Sequence, residues 1–161
     1  MDQTTIARLA AFLVEAKRRT YAGLDDDATI AAPIIPGSKQ LEYSDSELSY
    51  RDIYFGMTFF VGQEVVTDKQ RAIWSMSYAG GVSPDIADRD KFLGVYEFLR
   101  KALLHVGEDR PFRGPSHFEL GGYRYVNTSE GELSEFYGAE RIDLDGMPVY
   151  GLRYSGGILR L

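Results

Sequence analysis

FVGQEVVTDKQRAIWSMSYAGGV, residues 60–82, recurs without a gap as FYGAERIDLDGMPVYGLRYSGGI, residues 136–158. Identity holds at Phe60/Phe136, Gly62/Gly138, Glu64/Glu140, Tyr78/Tyr154, Gly80/Gly156 and Gly81/Gly157, and Trp74/Tyr150 and Met76/Leu152 are apolar exchanges. A recurrence of this length sets an architecture before any single element is placed. Around each copy the pattern is that of strands joined by tight turns, with Asp145-Gly146 giving a two-residue hairpin turn of the positive-φ kind.

Working outward, β-branched and aromatic runs predict strands over 48–55, 58–66 and 72–79, and again over 123–128, 133–144 and 147–154. Each trio follows a helix. The first is predicted over 4–20, with Ile6, Leu9, Ala10, Leu13 and Ala16 on one face, basic residues in its last turns and Gly23 as its stop. The second is predicted over 85–106, with Ser83 as cap, Pro84 in the first turn, a stripe of Phe92, Tyr96, Leu99 and Leu103, and Gly107 as its stop.

With one residue inserted in the second copy, Tyr50 aligns with Tyr125, Asp52 with Asn127 and Gly56 with Gly131. The expectation is an α+β fold made by internal duplication of an α-βββ unit, α-βββ-α-βββ. Repeat 1 spans about 4–82 and repeat 2 about 85–161 of a single pseudo-symmetric domain. One such unit is too small to bury a sheet face well, and two would pair into an antiparallel sheet with both helices packed on it. Residues 24–40, with the acidic run Asp25, Asp26, Asp27 and two prolines, read as a long loop.

Composition narrows the function classes. A net charge of −6 and a pI near 4.9 exclude a basic footprint for nucleic acid and oppose an acidic membrane surface. The absence of Cys excludes disulfides, thiolate metal sites and a cysteine nucleophile, and fits a reducing cytoplasm. The basic cluster Lys17, Arg18, Arg19 follows the first apolar stretch, the reverse of a secretory signal, and no run is long enough to span a bilayer. A cytoplasmic location is the expectation.

The candidate site residues are Tyr50, Asp52, Tyr54, Glu64, Trp74, Tyr78, Arg113 and Glu140. Glu64 and Glu140 occupy aligned positions and are read either as converging carboxylates or as structural ion pairs, Glu140 with Arg153 across its hairpin. Counting from the Asp145-Gly146 turn puts both glutamates on the face opposite Trp74, Met76 and Tyr78, and the Trp74 face is the better core candidate. A bulge near Gly62 or Gly138 would change that assignment.

Tyr50, Asp52 and Tyr54 alternate on one strand side, as a wall for a cationic or hydroxyl-bearing ligand or as an outward face. Asn127 replaces Asp52 in the second copy. Arg113, in PFRGP, points at an anion or caps the second helix. His105 and His117 lack partners at ligand spacing, the acidic run lacks the alternation of a calcium loop, and the Gly-Gly pairs lack the Lys of a phosphate cradle. No metal and no cofactor is expected, and no serine sits in a nucleophile elbow.

PGS at 36–38, YRDIY at 50–54, FVGQE at 60–64, IWSMSYAG at 73–80, PFRGP at 111–115 and VYGLRYSGG at 149–157 together resemble an uncharacterised bacterial domain. That domain occurs standalone and as the carboxyl-terminal part of Xre-type helix-turn-helix regulators. The resemblance covers about residues 12–158 and implies a sensing or effector module. DNA binding is not carried over, because the first helix leads straight into the loop. The family pattern has a His before the final Gly-Gly where this chain has Ser155.

The leading reading is a non-enzymatic small-molecule-binding domain. Its rivals are an enzyme using Glu64, Glu140 or Asp52 as acid–base groups and a protein–protein module, and an exposed edge strand would favour a homodimer.

Overall fold

The computed structural model describes residues 3–20, 22 and 32–160. Helix α1 (Gln3–Arg19) leads to strands β1 (Lys39–Asp45), β2 (Leu48–Gly56), β3 (Phe59–Asp68) and β4 (Arg71–Val82). Helix α2 (Arg89–Leu103) then leads to β5 (His117–Leu120), β6 (Tyr123–Glu132), β7 (Glu135–Leu144) and β8 (Met147–Ile158). The eight strands form one antiparallel sheet in the order β1-β2-β3-β4-β8-β7-β6-β5. The α+β class is as expected, but each helix is followed by four strands, not three.

The two strands missed by the sequence reading are the sheet edges. KQLEYSD carries only Leu41 and Tyr43 as apolar residues, and HFEL is four residues long, so neither offers the alternation that marks a half-buried strand. Strand β1 also claims the last residues of the expected 24–40 loop. The acidic run at 25–27 and Gly23 lie outside the described residues.

Helix α2 begins four residues later than its sequence suggests, because Asp88 caps it by accepting from the backbone N–H of Asp90 (2.9 Å) and Lys91 (3.1 Å). Its end tightens into i→i+3 bonds at His105 and Val106.

Register decides which side chains are inside. Both long hairpins turn on two positive-φ residues, Lys69-Gln70 and Asp145-Gly146. Beyond each turn, one extra residue enters the following strand: Val66 pairs with Trp74 while Thr67 pairs with Ala72, and Ile142 pairs with Tyr150 while Asp143 pairs with Pro148. These bulges leave Ile73 and Val149 as the extra residues. They shift all earlier pairings by one, so Glu64 faces Met76 and Glu140 faces Leu152. The expected separation of the glutamates from the Trp74 face is therefore wrong. The bulges sit next to the turns rather than at Gly62 or Gly138.

The helices cover this face. Leu9, Leu13 and Ala16 of α1 and Val95, Phe98, Leu99 and Ala102 of α2 are buried against Leu48, Tyr50, Val66, Trp74, Met76, Tyr125, Ile142 and Leu152. Each such large apolar side chain contributes roughly 1.5–3 kcal/mol on full burial. The four-strand runs meet at β4/β8, where Tyr78 lies directly opposite Tyr154. Aromatic contacts cross that seam in both directions, Phe136 stacking on Trp74 (5.9 Å) and Phe60 packing on Tyr150 (6.5 Å). Phe112 extends the first stack, 3.8 Å from Phe136.

Gly62 and Gly138 are explained by the same tyrosines. The Tyr78 ring lies over Gly62 and the Tyr154 ring over Gly138, where a Cβ would overlap the ring and come within 2.6 Å of the Thr128 carbonyl oxygen. Gly138→Ala is expected to lower unfolding free energy by about 1–3 kcal/mol through overpacking. Gly151→Ala, whose Cβ would meet nothing closer than 3.9 Å, should stay within about 0.5 kcal/mol. Parallel urea titrations would check the pair.

Candidate functional site: two buried carboxylate centres

Among the described residues the buried charged side chains are Lys17, Asp52, Glu64, Arg113, Glu140 and Asp143. Asp143 is paired with Arg141 at the rim (2.9 Å). The other five form two centres on the inner face of the sheet.

The second centre is closed. Arg113 holds Glu140 with two bonds, Nη2 to Oε1 (2.7 Å) and Nε to Oε2 (3.2 Å). Tyr125 donates to Oε2 (2.6 Å) and Tyr150 to Oε1 (2.9 Å), so both carboxylate oxygens carry two donors. The Tyr125 hydroxyl also accepts from Gly114 N–H (3.1 Å). Asn127 donates to the Gly114 carbonyl (3.0 Å) and accepts from Tyr154 (2.7 Å). Burial, then the Glu140 charge, pushes the Tyr125 and Tyr150 hydroxyls well above the ordinary phenol range, so both remain donors. Glu140 therefore pairs with Arg113, not with Arg153, and Arg113 is directed at this carboxylate.

The first centre has the same plan and different chemistry. Tyr78 donates to Asp52 (2.6 Å), as Tyr154 does to Asn127. Lys17, reaching down from α1, pairs with Glu64 Oε2. Its ammonium lies 5.9 Å from the Tyr50 ring centroid and 5.8 Å from that of Trp74. Glu64 Oε1 and Trp74 Nε1, however, are buried with no hydrogen-bond partner among the described residues. Their aligned counterparts, Glu140 Oε1 and the Tyr150 hydroxyl, bond each other.

Asp52 and Glu64 are direct partners across β2 and β3. Burial, and secondarily the Glu64 charge, pushes the Asp52 carboxyl up to about 7, opposed by the Tyr78 hydrogen bond, Lys17 and Arg113. Burial also lowers the Lys17 ammonium from its ordinary value, with Glu64 opposing. The two centres touch where the Arg113 guanidinium lies 5.7 Å from the Tyr78 ring centroid.

A carboxyl raised from 3.8 to about 7 on folding stabilises the folded state fully only below the unfolded value, and that contribution is lost as pH rises through 7. Asp52→Asn, which places in the first centre the amide that the second already uses, should flatten this slope. We expect it to be more stable than the parent by about 1–2 kcal/mol at pH 8.5, with the gain shrinking at pH 5.5. Urea titrations at the two pH values read this out.

Of the eight sequence candidates, Asp52, Glu64, Trp74 and Tyr78 meet in the first centre with the Tyr50 ring, and Arg113 and Glu140 meet in the second. Tyr54 stands aside, half-buried and edge-on to Phe60 (6.5 Å). Lys17, Tyr125 and Tyr150 were not anticipated. Lys17 lies four residues after Leu13 and eight after Leu9, on the apolar stripe itself, and that spacing was the available signal. Among the described residues no three His, Asp or Glu side chains stand together as metal ligands, and no helix is long and apolar enough to cross a membrane.

No curated protein and no solved structure matches the chain. A family model covers most of it, from Asp52 of the first centre to beyond the end of β8, leaving α1 and Lys17 outside. The chain belongs to the family of the DUF5680 domain, a domain of unknown function, by a match over residues 52–159.

Proposed function

We propose that this domain binds a small molecule at its first centre, and that the chain is a duplicated unit in which one centre became structural and the other kept a binding role. The observation that carries this reading is the pair of buried, unpartnered groups, Glu64 Oε1 and Trp74 Nε1. A buried polar atom without a partner costs about 1–3 kcal/mol, and the sequence meets that cost in one half while avoiding it in the other. A ligand offering a donor to Glu64 and an acceptor to Trp74 offsets it. The duplication is supported by the shared spacing of Glu, aromatic and Tyr in both halves, with an aligned Tyr before each, and by the opposition of Tyr78 and Tyr154.

An effector-sensing role fits the resemblance to the carboxyl-terminal part of Xre-type regulators. A thermal-shift screen against a broad metabolite library tests the reading, since a ligand that binds only the folded state raises its melting temperature. Hits are expected to lose most of their effect in Trp74→Phe, which removes the N–H while leaving every charge. A library without hits, or hits indifferent to Trp74→Phe and Glu64→Gln, would overturn it.

A further inference from the structure

Charge and the unpartnered polar atoms at the first centre narrow the ligand class, an inference that rests on the binding reading above. Setting aside the Asp143–Arg141 pair, the buried groups are three carboxylates, Asp52, Glu64 and Glu140, against two cations, Lys17 and Arg113. The second centre balances within itself, so the excess carboxylate belongs to the first and carries its charge once pH rises past 7. Residues 1–2, 21, 23–31 and 161 contain no Lys or Arg that would supply the missing charge.

The walls suit an organic cation. Tyr50 and Trp74 already flank one ammonium, that of Lys17, at cation–π distance. A hard metal ion needs six or more oxygen ligands, and the centre offers two carboxylates with no further acidic or histidine ligand among the described residues. Trp74 Nε1 requires, in addition, an acceptor on the ligand.

We propose that the first centre takes a small organic ammonium carrying a neighbouring hydrogen-bond acceptor, its N–H groups directed to Glu64 Oε1 and Asp52 and its acceptor to Trp74 Nε1. An amino alcohol has this chemistry. The groups facing Asp52 are Glu64 from β3, Tyr78 from β4, Lys17 from α1 and Arg113 from the segment before β5. A bound cation holds Asp52 ionised, so binding releases a proton and strengthens as pH rises past 7. These groups are closed to solvent, and Lys17 reaches them from α1.

The test uses ethanolamine as probe, with glycolate and glucose as anionic and neutral comparators, in thermal-shift assays at pH 6 and 8.5. Ethanolamine at tenfold excess over its Kd is expected to raise Tm by about 3 °C or more, more at pH 8.5 than at pH 6. Asp52→Asn, which removes the excess charge without changing shape, should abolish most of the shift. Glu119→Gln, at an exposed edge-strand acid, should not.

An equal ethanolamine shift in Asp52→Asn would place the binding elsewhere and overturn the proposal. A shift with glycolate or glucose but not ethanolamine would overturn the ligand class while leaving the binding site standing. No shift with ethanolamine, together with no hit from the broad library, would overturn both.

Discussion

Lys17→Met is expected to lower unfolding free energy by about 3–5 kcal/mol at pH 7.5, the usual cost of leaving one partner of a buried ion pair without the other. Among the described residues Glu64 has no second cation from its own half, and its other oxygen has no hydrogen-bond partner. Asp52, its direct partner on the neighbouring strand, then repels it. The loss should be smaller below pH 6, where Asp52 takes up a proton, and larger above pH 8.

The double variant Lys17→Met/Glu64→Leu removes both charges and should recover most of the loss, because an apolar pair of similar volume often matches a buried ion pair. If the single variant does not fold, recovery of folding in the double variant carries the same information. A cost below about 1 kcal/mol would mean that this ion pair is solvated.

Arg113→Met is the second large effect, again about 3–5 kcal/mol. It strands the buried Glu140 without a counter-charge, although Tyr125 and Tyr150 still donate to it. Those two donors make a partial rescue possible. Arg113→Lys restores the charge but not the two-pronged geometry, so it should recover some of the loss and no more. Glu140→Gln keeps an acceptor for the tyrosines while leaving the guanidinium without a counter-charge, and should cost nearly as much as Arg113→Met. Urea titrations of the three variants separate charge from geometry. If Arg113→Lys equals the parent, the bidentate contact contributes nothing.

The recurrence of residues 60–82 was legible because strand alternation, glycines and a Tyr at fixed spacing survive in a linear string. The sheet edges were not, since edge strands such as HFEL bury little and need no pattern. The faces of the glutamates were misplaced for a more specific reason. One extra residue after a two-residue turn, Ile73 or Val149, inverts every earlier pairing, and neither bulge carries a glycine to announce it.

The cations show a second limit. Arg113 was visible as a candidate but its partner was not, because a loop residue and a strand residue 27 positions apart meet only after the sheet forms. Lys17 was hidden by its neighbours, since three consecutive basic residues look like a solvated helix end, though Lys17 is fully buried while Arg18 and Arg19 turn outward. The replacement of Asp52 by Asn127 was readable, and it marks the one position where the two centres differ in charge while keeping the same tyrosine bond.

The first centre is distinguished from the second by a buried indole N–H and a carboxylate oxygen with no hydrogen-bond partner among the described residues, and Trp74 is the only tryptophan in the chain. Its indole resonance in a two-dimensional ¹H–¹⁵N spectrum therefore reports on that centre alone. On titration with ethanolamine at pH 8.5 the indole cross-peak is expected to move saturably, and to stay in place in Asp52→Asn. An indole cross-peak that does not move in the folded parent protein, at concentrations that saturate any thermal shift, would contradict the account.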